Sequence, residues 1–435
     1  MTRQKSTPHQ TSRKIAHETP IESPIESPID PLQAPLTELG GLSAQAFMRR
    51  HWQKKPLLVR QAFPGIKPPL SRAELFKLAA QEGVESRLIQ RDGKGPRARW
   101  SLQHGPLARR ALPSLQQPGW TVLVQGLNLH VPAADALLSR FRFVPQARLD
   151  DLMVSWASEG GGVGPHFDSY DVFLIQAHGQ RRWRIGRMDD ARLRAGVPVK
   201  LIANFRYEEE HVLEAGDMLY LPPGWAHDGD AVGGECMTCS VGFRSASRGE
   251  LVRESLLRVA DAVADAVQDA SQQAASPTAP PDPLLALYDD PRQLATLTPG
   301  RIPPAMQAFA TRSVMQALQA DGAVARALGE YLSEPKPQVF FESCPADQWD
   351  ACQARAWAEG VRLDVRSCML YDEAHVYLNG ESWRAAGADA HWLQQLADAR
   401  LLPAQALRKA SASLRRQLVI WLEDGWLQPG TQTGC

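Results

Sequence analysis

A histidine and an aspartate two residues apart are the first residues in this chain whose types and spacing suggest chemistry. His166 and Asp168 follow a glycine-rich stretch, residues 160–164. On a β-strand, side chains two positions apart leave the same face. An imidazole and a carboxylate on one face supply two of the three ligands of a 2-His-1-carboxylate iron site. Because one such pair arises by chance in roughly every chain of this length, a third ligand is required.

His227 is the best candidate for the third ligand. A Gly-Asp turn at 216–217 precedes a four-residue strand, and the rigid Pro-Pro-Gly corner at 222–224 leads directly to this histidine. In a β-barrel such a path returns His227 to the mouth where the first pair lies. A single histidine is more often a surface or core residue, but the spacing, the first pair and the barrel pattern together favour a metal site.

An arginine on a predicted core face points to a second ligand, an anion. In the run from 181 to 185, alternation places Arg181, Trp183 and Ile185 on one face. Burying a guanidinium is costly unless an anion meets it, and its planar fork fits a carboxylate. Since a three-ligand iron site leaves positions for a chelating cosubstrate and oxygen, Arg181 is predicted to bind the cosubstrate's far carboxylate. Arg182 and Arg184 fit surface positions.

The elements that must position these residues follow a β pattern between Trp120 and Arg244. Short β-branched and aromatic runs recur there between Gly, Pro and Asp residues, which is typical of a sandwich or barrel. The predicted strands are Thr121–Val124, Leu152–Ala157, Tyr170–Ala177, Arg181–Ile185, Lys200–Phe205, Met218–Leu221 and Cys236–Phe243.

The segments on either side of this β region have mixed or helical patterns. Predicted helices cover 42–52, 72–81, 252–267, 304–332, 347–359, 388–399 and 403–422, and further short strands cover 57–59, 86–90, 369–371 and 375–378. The predicted helices and strands after residue 335 form a small α+β unit, for which a winged helix is one possibility. We therefore expect an α+β protein in four parts: a disordered extension (1–36), a catalytic domain (37–247), a helical region (248–334) with a linker at 271–283, and a C-terminal domain (335–435).

Composition limits the classes of function. The 435 residues contain 48 Lys plus Arg and 48 Asp plus Glu, so the formal net charge is +0. That balance argues against a protein that coats nucleic acid or an anionic membrane, and no apolar run is long enough to span a bilayer. The six cysteines form no dense framework, and Cys236 and Cys239 are interpreted as strand residues rather than zinc ligands. We expect a cytoplasmic protein without direct nucleic-acid binding.

Three motifs together resemble a known family. They are Gly164-Pro-His-Phe-Asp-Ser-Tyr170, Gly179-Gln-Arg-Arg-Trp-Arg-Ile-Gly186 and Leu219-Tyr-Leu-Pro-Pro-Gly-Trp-Ala-His227. This combination is similar to the bacterial JmjC-type ribosomal oxygenases, which are cupin-fold arginine hydroxylases of the YcfD type. The resemblance is specific over residues 150–244 and looser toward the C-terminus.

The resemblance implies a double-stranded β-helix (cupin/JmjC) core that uses Fe(II), 2-oxoglutarate and O2, a helical dimerisation region and a C-terminal winged-helix-like domain. The implied substrate is an arginine of a large-subunit ribosomal protein, and the implied assembly is a homodimer. The residues matching the family's metal ligands are His166, Asp168 and His227, and Arg181 matches its 2-oxoglutarate-binding residue. Those that fall where the substrate arginine is held are Asp151, Met153, Tyr170 and Ser240.

One position departs from the family pattern, and other functions stay open. Ala157 stands where a hydroxyl that helps to bind 2-oxoglutarate is expected, and Ser155 on the same strand face is predicted to replace it. Asp151 could equally be a loop cap before its strand. Alternative functions are a JmjC demethylase, a histidyl hydroxylase of another protein, or a non-catalytic cupin sensor whose C-terminal unit binds DNA. Metal dependence and consumption of 2-oxoglutarate separate the enzymes from the sensor.

Overall fold

The structure, a computed structural model, describes residues 34–93, 95, 98–188, 190–273 and 283–430. Nearly all of the predicted N-terminal extension, most of the predicted linker and Cys435 lie outside these residues. Within them, the largest element is a ten-stranded sheet, and two separate three-stranded sheets lie near the C-terminus.

The first part of the chain supplies one side of the large sheet and helices that cover it. Side-chain capping starts both early helices: Ser43 accepts from the Ala46 N–H, and Ser71 and Glu74 form a capping box. The elements are β1 (Glu38–Leu39), β2 (Leu42–Ser43), α1 (Ala44–Arg50), β3 (Leu57–Val59), α2 (Arg72–Ala79), β4 (Ser86–Asp92), β5 (Arg99–His104), β6 (Trp120–Val124) and α3 (Pro132–Ser139).

The following six strands complete the sheet and carry the predicted site. They are β7 (Leu149–Ala157), β8 (His166–Phe167), β9 (Val172–Arg187), β10 (Glu209–Leu213), β11 (Met218–Leu221) and β12 (Trp225–Phe243). All pairs are antiparallel, and the main order is β3-β11-β9-β12-β7-β6-β4-β5, with β10 beside β9 and β8 beside β12. The predicted strand positions are recovered for most of this region.

Strands β9 and β12 are long and pair with each other twice. Residues 172–176 pair with 238–242, whereas residues 180–187 pair with 225–232, and the register shifts between the two halves. Gly179 lies at the bend with φ +65°, and a Cβ there would come within 2.2 Å of the Glu235 carbonyl oxygen. The predicted strands Tyr170–Ala177 and Arg181–Ile185 are therefore halves of one bent strand.

The predicted strand Lys200–Phe205 is wrong. This segment is a loop whose one ladder contact is an isolated bridge between Leu193 and Ile202. Leu201 and Ile202 are nevertheless buried. Their apolar side chains pack as part of a covering loop, and packing of this kind gives the same sequence pattern as a strand.

The main hydrophobic core lies on one face of the large sheet. Aromatic rings from several strands and from α1 meet there in tilted and edge-to-face pairs, the preferred geometry of such contacts. They include Phe47, Trp120, Phe141, Trp156, Phe173, Tyr220 and Phe243. This packing holds β7, β9 and β12 in place, and these are the strands from which the site is built.

Three helices follow β12: α4 (Arg248–Gln273), α5 (Pro304–Gln319) and α6 (Ala323–Ser333). The predicted helix at 304–332 is interrupted at Gly322, which has φ +69°. Exposed apolar side chains lie along all three helices, among them Val252, Leu256, Val314 and Leu328. No helix of the described ranges is long and apolar enough to cross a membrane.

The C-terminal part has its own core. Its elements are α7 (Trp349–Glu359), β13 (Gly360–Leu363), β14 (Met369–Tyr371), β15 (His375–Leu378), β16 (Glu381–Arg384), α8 (Gly387–Ala399), β17 (Leu401–Pro403), α9 (Ala404–Lys409), α10 (Ala412–Glu423) and β18 (Leu427–Pro429). Trp349, Trp357 and Trp392 pack against that core, as predicted. The single predicted helix at 403–422 is two helices, because Ser411 caps a new one.

Candidate metal and cosubstrate site

His166, Asp168 and His227 come together in the structure. His166 on β8 pairs directly opposite His227 on β12, and Asp168 follows two residues later. One ligand atom from each residue lies within 4.8 Å of the others. The imidazole centroids are 4.2 Å apart, and Asp168 Oδ2 is 3.7 Å from His227 Nε2. Elsewhere among the described residues, no other group of three His, Cys, Asp or Glu side chains has metal-binding geometry.

Backbone carbonyls orient both imidazoles. Nδ1 of His166 lies 2.8 Å from the Gly164 carbonyl oxygen, and Nδ1 of His227 lies 3.2 Å from that of Trp225. A proton on each Nδ1 leaves Nε2 as the free ligand atom, the usual second-shell arrangement of a metal-binding histidine. Burial, followed by the neighbouring His166, lowers the pKa of His227 to about 4, so that imidazole is neutral at pH 7. This donor set fits Fe(II).

Two glycines allow the close packing around these ligands. Gly164 has φ +80°, and a Cβ there would overlap Leu201 and the Trp100 ring. At Gly229 a Cβ would lie 2.6 Å from the ring of Trp183. That ring in turn lies 5.8 Å from the imidazole of His227. The glycine-rich sequence before His166 is thus required for space, not only for flexibility.

Arg181 is buried beside this cluster, on the face predicted from the alternation. It is 2% exposed, and its guanidinium carbon lies 5.0 Å from the Trp183 ring centroid. Its Nη1 donates to Ser155 Oγ at 2.9 Å and to Thr238 Oγ1 at 3.2 Å. No Asp or Glu of the described chain forms an ion pair with it, and its buried Nε has no hydrogen-bond partner there. A buried guanidinium with unused donors fits the distal carboxylate of 2-oxoglutarate.

The hydroxyl predicted to compensate for Ala157 is in position. Ser155 Oγ contacts the guanidinium of Arg181, whereas Ala157 pairs with Cys236 farther along β7 and contributes no polar group. Cys236 and Cys239 are buried free thiols, and burial raises the pKa of Cys239 to about 12. Both are therefore inert strand residues, in agreement with the sequence interpretation.

Three of the four residues predicted to contact the substrate, Asp151, Met153 and Ser240, share the strand face that carries Ser155. Asp151, Met153 and Ser155 alternate along the inner face of β7, and Ser240 on β12 is the register partner of Met153. Partial burial, followed by the charges of Asp168 and Asp151, raises the pKa of the Tyr170 hydroxyl.

Asp151 is not a loop cap. It is buried within β7, and Gln125 Nε2 donates to its two oxygens at 2.9 and 2.8 Å. A Cβ at Gly242 would meet Asp151 Oδ1 at 3.8 Å and the Tyr170 ring at 3.7 Å, so the glycine leaves room beside the carboxylate. The loop-cap alternative from the sequence is wrong, since the carboxylate accepts from side chains within the pocket.

Sequence reasoning missed two polar residues that contact the predicted site residues. Thr238, which donates to Gln176 at 2.9 Å, completes the surroundings of Arg181. Lys336 reaches Asp151 from a distant segment. The alternation along β12 puts Thr238 and Ser240 on one face, but the contact of Thr238 with Arg181 depends on a register shift in β12 that the sequence does not give; no local pattern marks Lys336.

Comparison with known proteins agrees with this geometry. Residues 136–251 match a family model described as JmjC domain, and residues 315–428 match one described as ROXA-like winged helix. The X-ray structure of Escherichia coli ycfD superposes with a TM-score of 0.72 at 30% sequence identity, covering 89% of this chain and 98% of that one. The chain belongs to the JmjC-domain ribosomal oxygenases. The family assignment and fold class predicted from the motifs are confirmed.

The chain is also similar in structure and sequence to other ribosomal oxygenases. A structure of YcfD from Escherichia coli in complex with cobalt and 2-oxoglutarate has a TM-score of 0.66 at 29% identity and covers 89% of this chain and 98% of that one. The ribosomal protein uL16 3-hydroxylase of Escherichia coli K12 is 42% identical over 209 residues, which are 47% of this chain and 54% of the relative. The sequence match thus spans about half the length of that curated relative.

Proposed function

We propose that this ribosomal oxygenase is an Fe(II)- and 2-oxoglutarate-dependent hydroxylase that acts on an arginine side chain of a large-subunit ribosomal protein. One observation carries the proposal: a 2-His-1-carboxylate cluster lies beside a buried guanidinium that lacks an acidic partner in the described residues. The relative named as a uL16 3-hydroxylase supports the choice of substrate.

In this proposal each residue of the site has a defined role. The ligands of Fe(II) are His166, Asp168 and His227, with both imidazoles held by backbone carbonyls. Arg181, supported by Ser155 and Thr238, holds the distal carboxylate of 2-oxoglutarate. The bound metal, 2-oxoglutarate and O2 supply the oxidising chemistry that replaces a C–H bond by C–OH. The protein excludes water and fixes the substrate carbon near the metal.

The substrate arginine is proposed to contact Asp151, Met153, Tyr170 and Ser240. Asp151 supplies the charge, because a guanidinium pairs best with a carboxylate. Met153 and the Tyr170 ring offer apolar surface for the methylene groups, and Ser240 offers a hydroxyl beside them. A carboxylate beside apolar surface favours a long cationic side chain over a neutral one.

The direct test is turnover of ribosomal protein uL16 by the full chain with Fe(II), 2-oxoglutarate and O2. We expect one succinate per protein molecule that gains 16 Da, with the added oxygen on a single arginine. The variant His166→Ala should form neither product. Loss of 14 Da from a methylated lysine would indicate a demethylase, oxygen on a histidine a histidyl hydroxylase, and no consumption of 2-oxoglutarate a sensor.

We further propose that the protein is a cytoplasmic homodimer that does not bind nucleic acid directly. The exposed apolar side chains of α4, α5 and α6 support a dimer, because a second copy would cover them. The division into parts ending near residues 36, 247 and 334 is likewise a proposal; β12 ends at Phe243 and α4 begins at Arg248. Light scattering at micromolar concentration tests the dimer.

A further inference from the structure

Lys336 makes an unexpected contact with Asp151, a residue of the proposed substrate site. Its ammonium lies 2.9 Å from Asp151 Oδ2 and 3.0 Å from Asp150 Oδ1. The residue belongs to the segment 334–337, Glu-Pro-Lys-Pro, which follows α6 and lies outside any helix or strand. It therefore reaches across from the C-terminal half of the chain to a carboxylate on β7, 185 residues earlier in sequence.

This ammonium and the guanidinium of Arg244 together balance the charge of the acids that would attract a substrate cation. Asp150 and Asp151 carry two negative charges, while Lys336 contacts both and Arg244 Nε lies 3.7 Å from Asp150. Burial alone lowers the pKa of Lys336, but the two aspartates outweigh that effect and raise it, so the amine is charged. A second cation approaching Asp151 meets a pair whose charge is already balanced.

The position of Asp151 shows which side of the carboxylate Lys336 occupies. Oδ2 accepts from both Lys336 and Gln125, whereas Oδ1 accepts from Gln125 alone and faces the space beside Gly242 and Tyr170. The Lys336 side chain is 28% exposed, so its long stem can withdraw toward solvent without unpacking the core. The contact therefore has the features of an exchangeable partner.

We infer that Lys336 occupies the acceptor for the substrate's cationic side chain, and that the substrate arginine binds Asp151 by exchange with this ammonium. The inference rests on the proposed function, since it requires Asp151 to receive the substrate. Exchange makes Lys336 an internal competitor, which lowers the affinity of Asp151 for any incoming cation by the same factor. A guanidinium gains two parallel hydrogen bonds to a carboxylate where an ammonium gives a point charge, so arginine gains by displacing Lys336 and a lysine side chain gains nothing.

Three variants of the full chain test the exchange: Lys336→Met, Lys336→Arg and the control Lys409→Met, which removes an exposed lysine at the end of α9. The probes are a labelled peptide around the hydroxylated arginine of uL16 and the same peptide with lysine at that position. Dissociation constants are measured by fluorescence anisotropy with Mn(II) and 2-oxoglutarate in the absence of oxygen, and KM values by mass spectrometry under turnover.

We expect Lys336→Met to bind both the arginine peptide and the lysine peptide ~10-fold more tightly, by about the same factor, because no cation has to be displaced. Lys336→Arg should bind both peptides more weakly than the wild type, and Lys409→Met should match the wild type. Unchanged or weaker binding by Lys336→Met overturns the inference, as does a failure of both wild type and Lys336→Met to bind either peptide. The proposed function fails separately if the wild type binds the arginine peptide but does not hydroxylate it.

Discussion

At one end of the site face of β7, Arg181 is buried against Ser155 with hydroxyl and carbonyl partners but no acidic one among the described residues. At the other end, Asp151 is buried with Lys336 already against it. The Arg181 guanidinium has an unbalanced positive charge that can bind an anion. The negative charge of the Asp151 carboxylate is balanced until another cation displaces Lys336. In the proposed roles, the Arg181 end would capture the cosubstrate directly, whereas the Asp151 end would bind the substrate by exchange with Lys336.

The largest effect should come from removing the charge at the cosubstrate end. Arg181→Met leaves a bound carboxylate buried without its partner, so KM for 2-oxoglutarate should rise by ~100-fold or more. KM for the arginine peptide should stay within about threefold of the wild type, since Asp151 is untouched. Both constants follow from succinate assays; an equal rise in the two would show that the ends are not independent.

The reciprocal change is Asp151→Asn at the substrate end. The amide keeps the shape of the side chain but removes the charge, so KM for the arginine peptide should rise by ~10- to 100-fold while KM for 2-oxoglutarate is unchanged. Formation of succinate without substrate should continue at the wild-type rate. A thermal midpoint near that of the wild type is needed as a control, because Lys336 loses a partner too.

A smaller change at the cosubstrate end is Thr238→Val, which removes one hydroxyl from the guanidinium. Loss of a hydrogen bond to a charged group costs about 1.5–3 kcal/mol, so KM for 2-oxoglutarate should rise by roughly 10-fold. Ser240→Ala, on the same face of β12, is the matched control. It should leave the 2-oxoglutarate constant unchanged, and a similar rise in this control would contradict the assignment of Thr238.

The smallest effect expected is that of salt. The contact of Lys336 with Asp150 is partly exposed, whereas Arg181 is almost fully buried, so added NaCl should change the peptide's KM more than that of 2-oxoglutarate. Between 50 and 300 mM NaCl we expect a change of a few-fold in the peptide constant alone. Equal salt dependence of both constants would remove the distinction between the two ends.

Much of the site could be predicted from the sequence because it follows from strand alternation. Two-residue spacing predicts that His166 and Asp168 share a face and that Arg181 is buried whereas Arg182 is not. Both expectations hold in the structure. The corner at 222–224 leads into β12, where His227 pairs opposite His166. These features depend on residues close together in the chain, for which local geometry is decisive.

The parts that could not be predicted depend on register and on distant contacts. Thr238 faces Arg181 because β12 shifts its register between Val232 and Thr238, and sequence alone does not give that shift. Lys336 meets Asp151 through the packing of the C-terminal half against β7. The buried run at 201–202 resembled a strand because burial by a loop and burial in a sheet select the same apolar residues.

The most direct test of the central claim is mass spectrometry of ribosomal proteins from cells that carry the wild-type gene, no gene, or the Asp168→Ala form. The account predicts that one arginine of one large-subunit protein carries an additional 16 Da with the wild-type gene and lacks it in both other strains. Identical masses in all three strains, or a modified residue other than arginine, would contradict it.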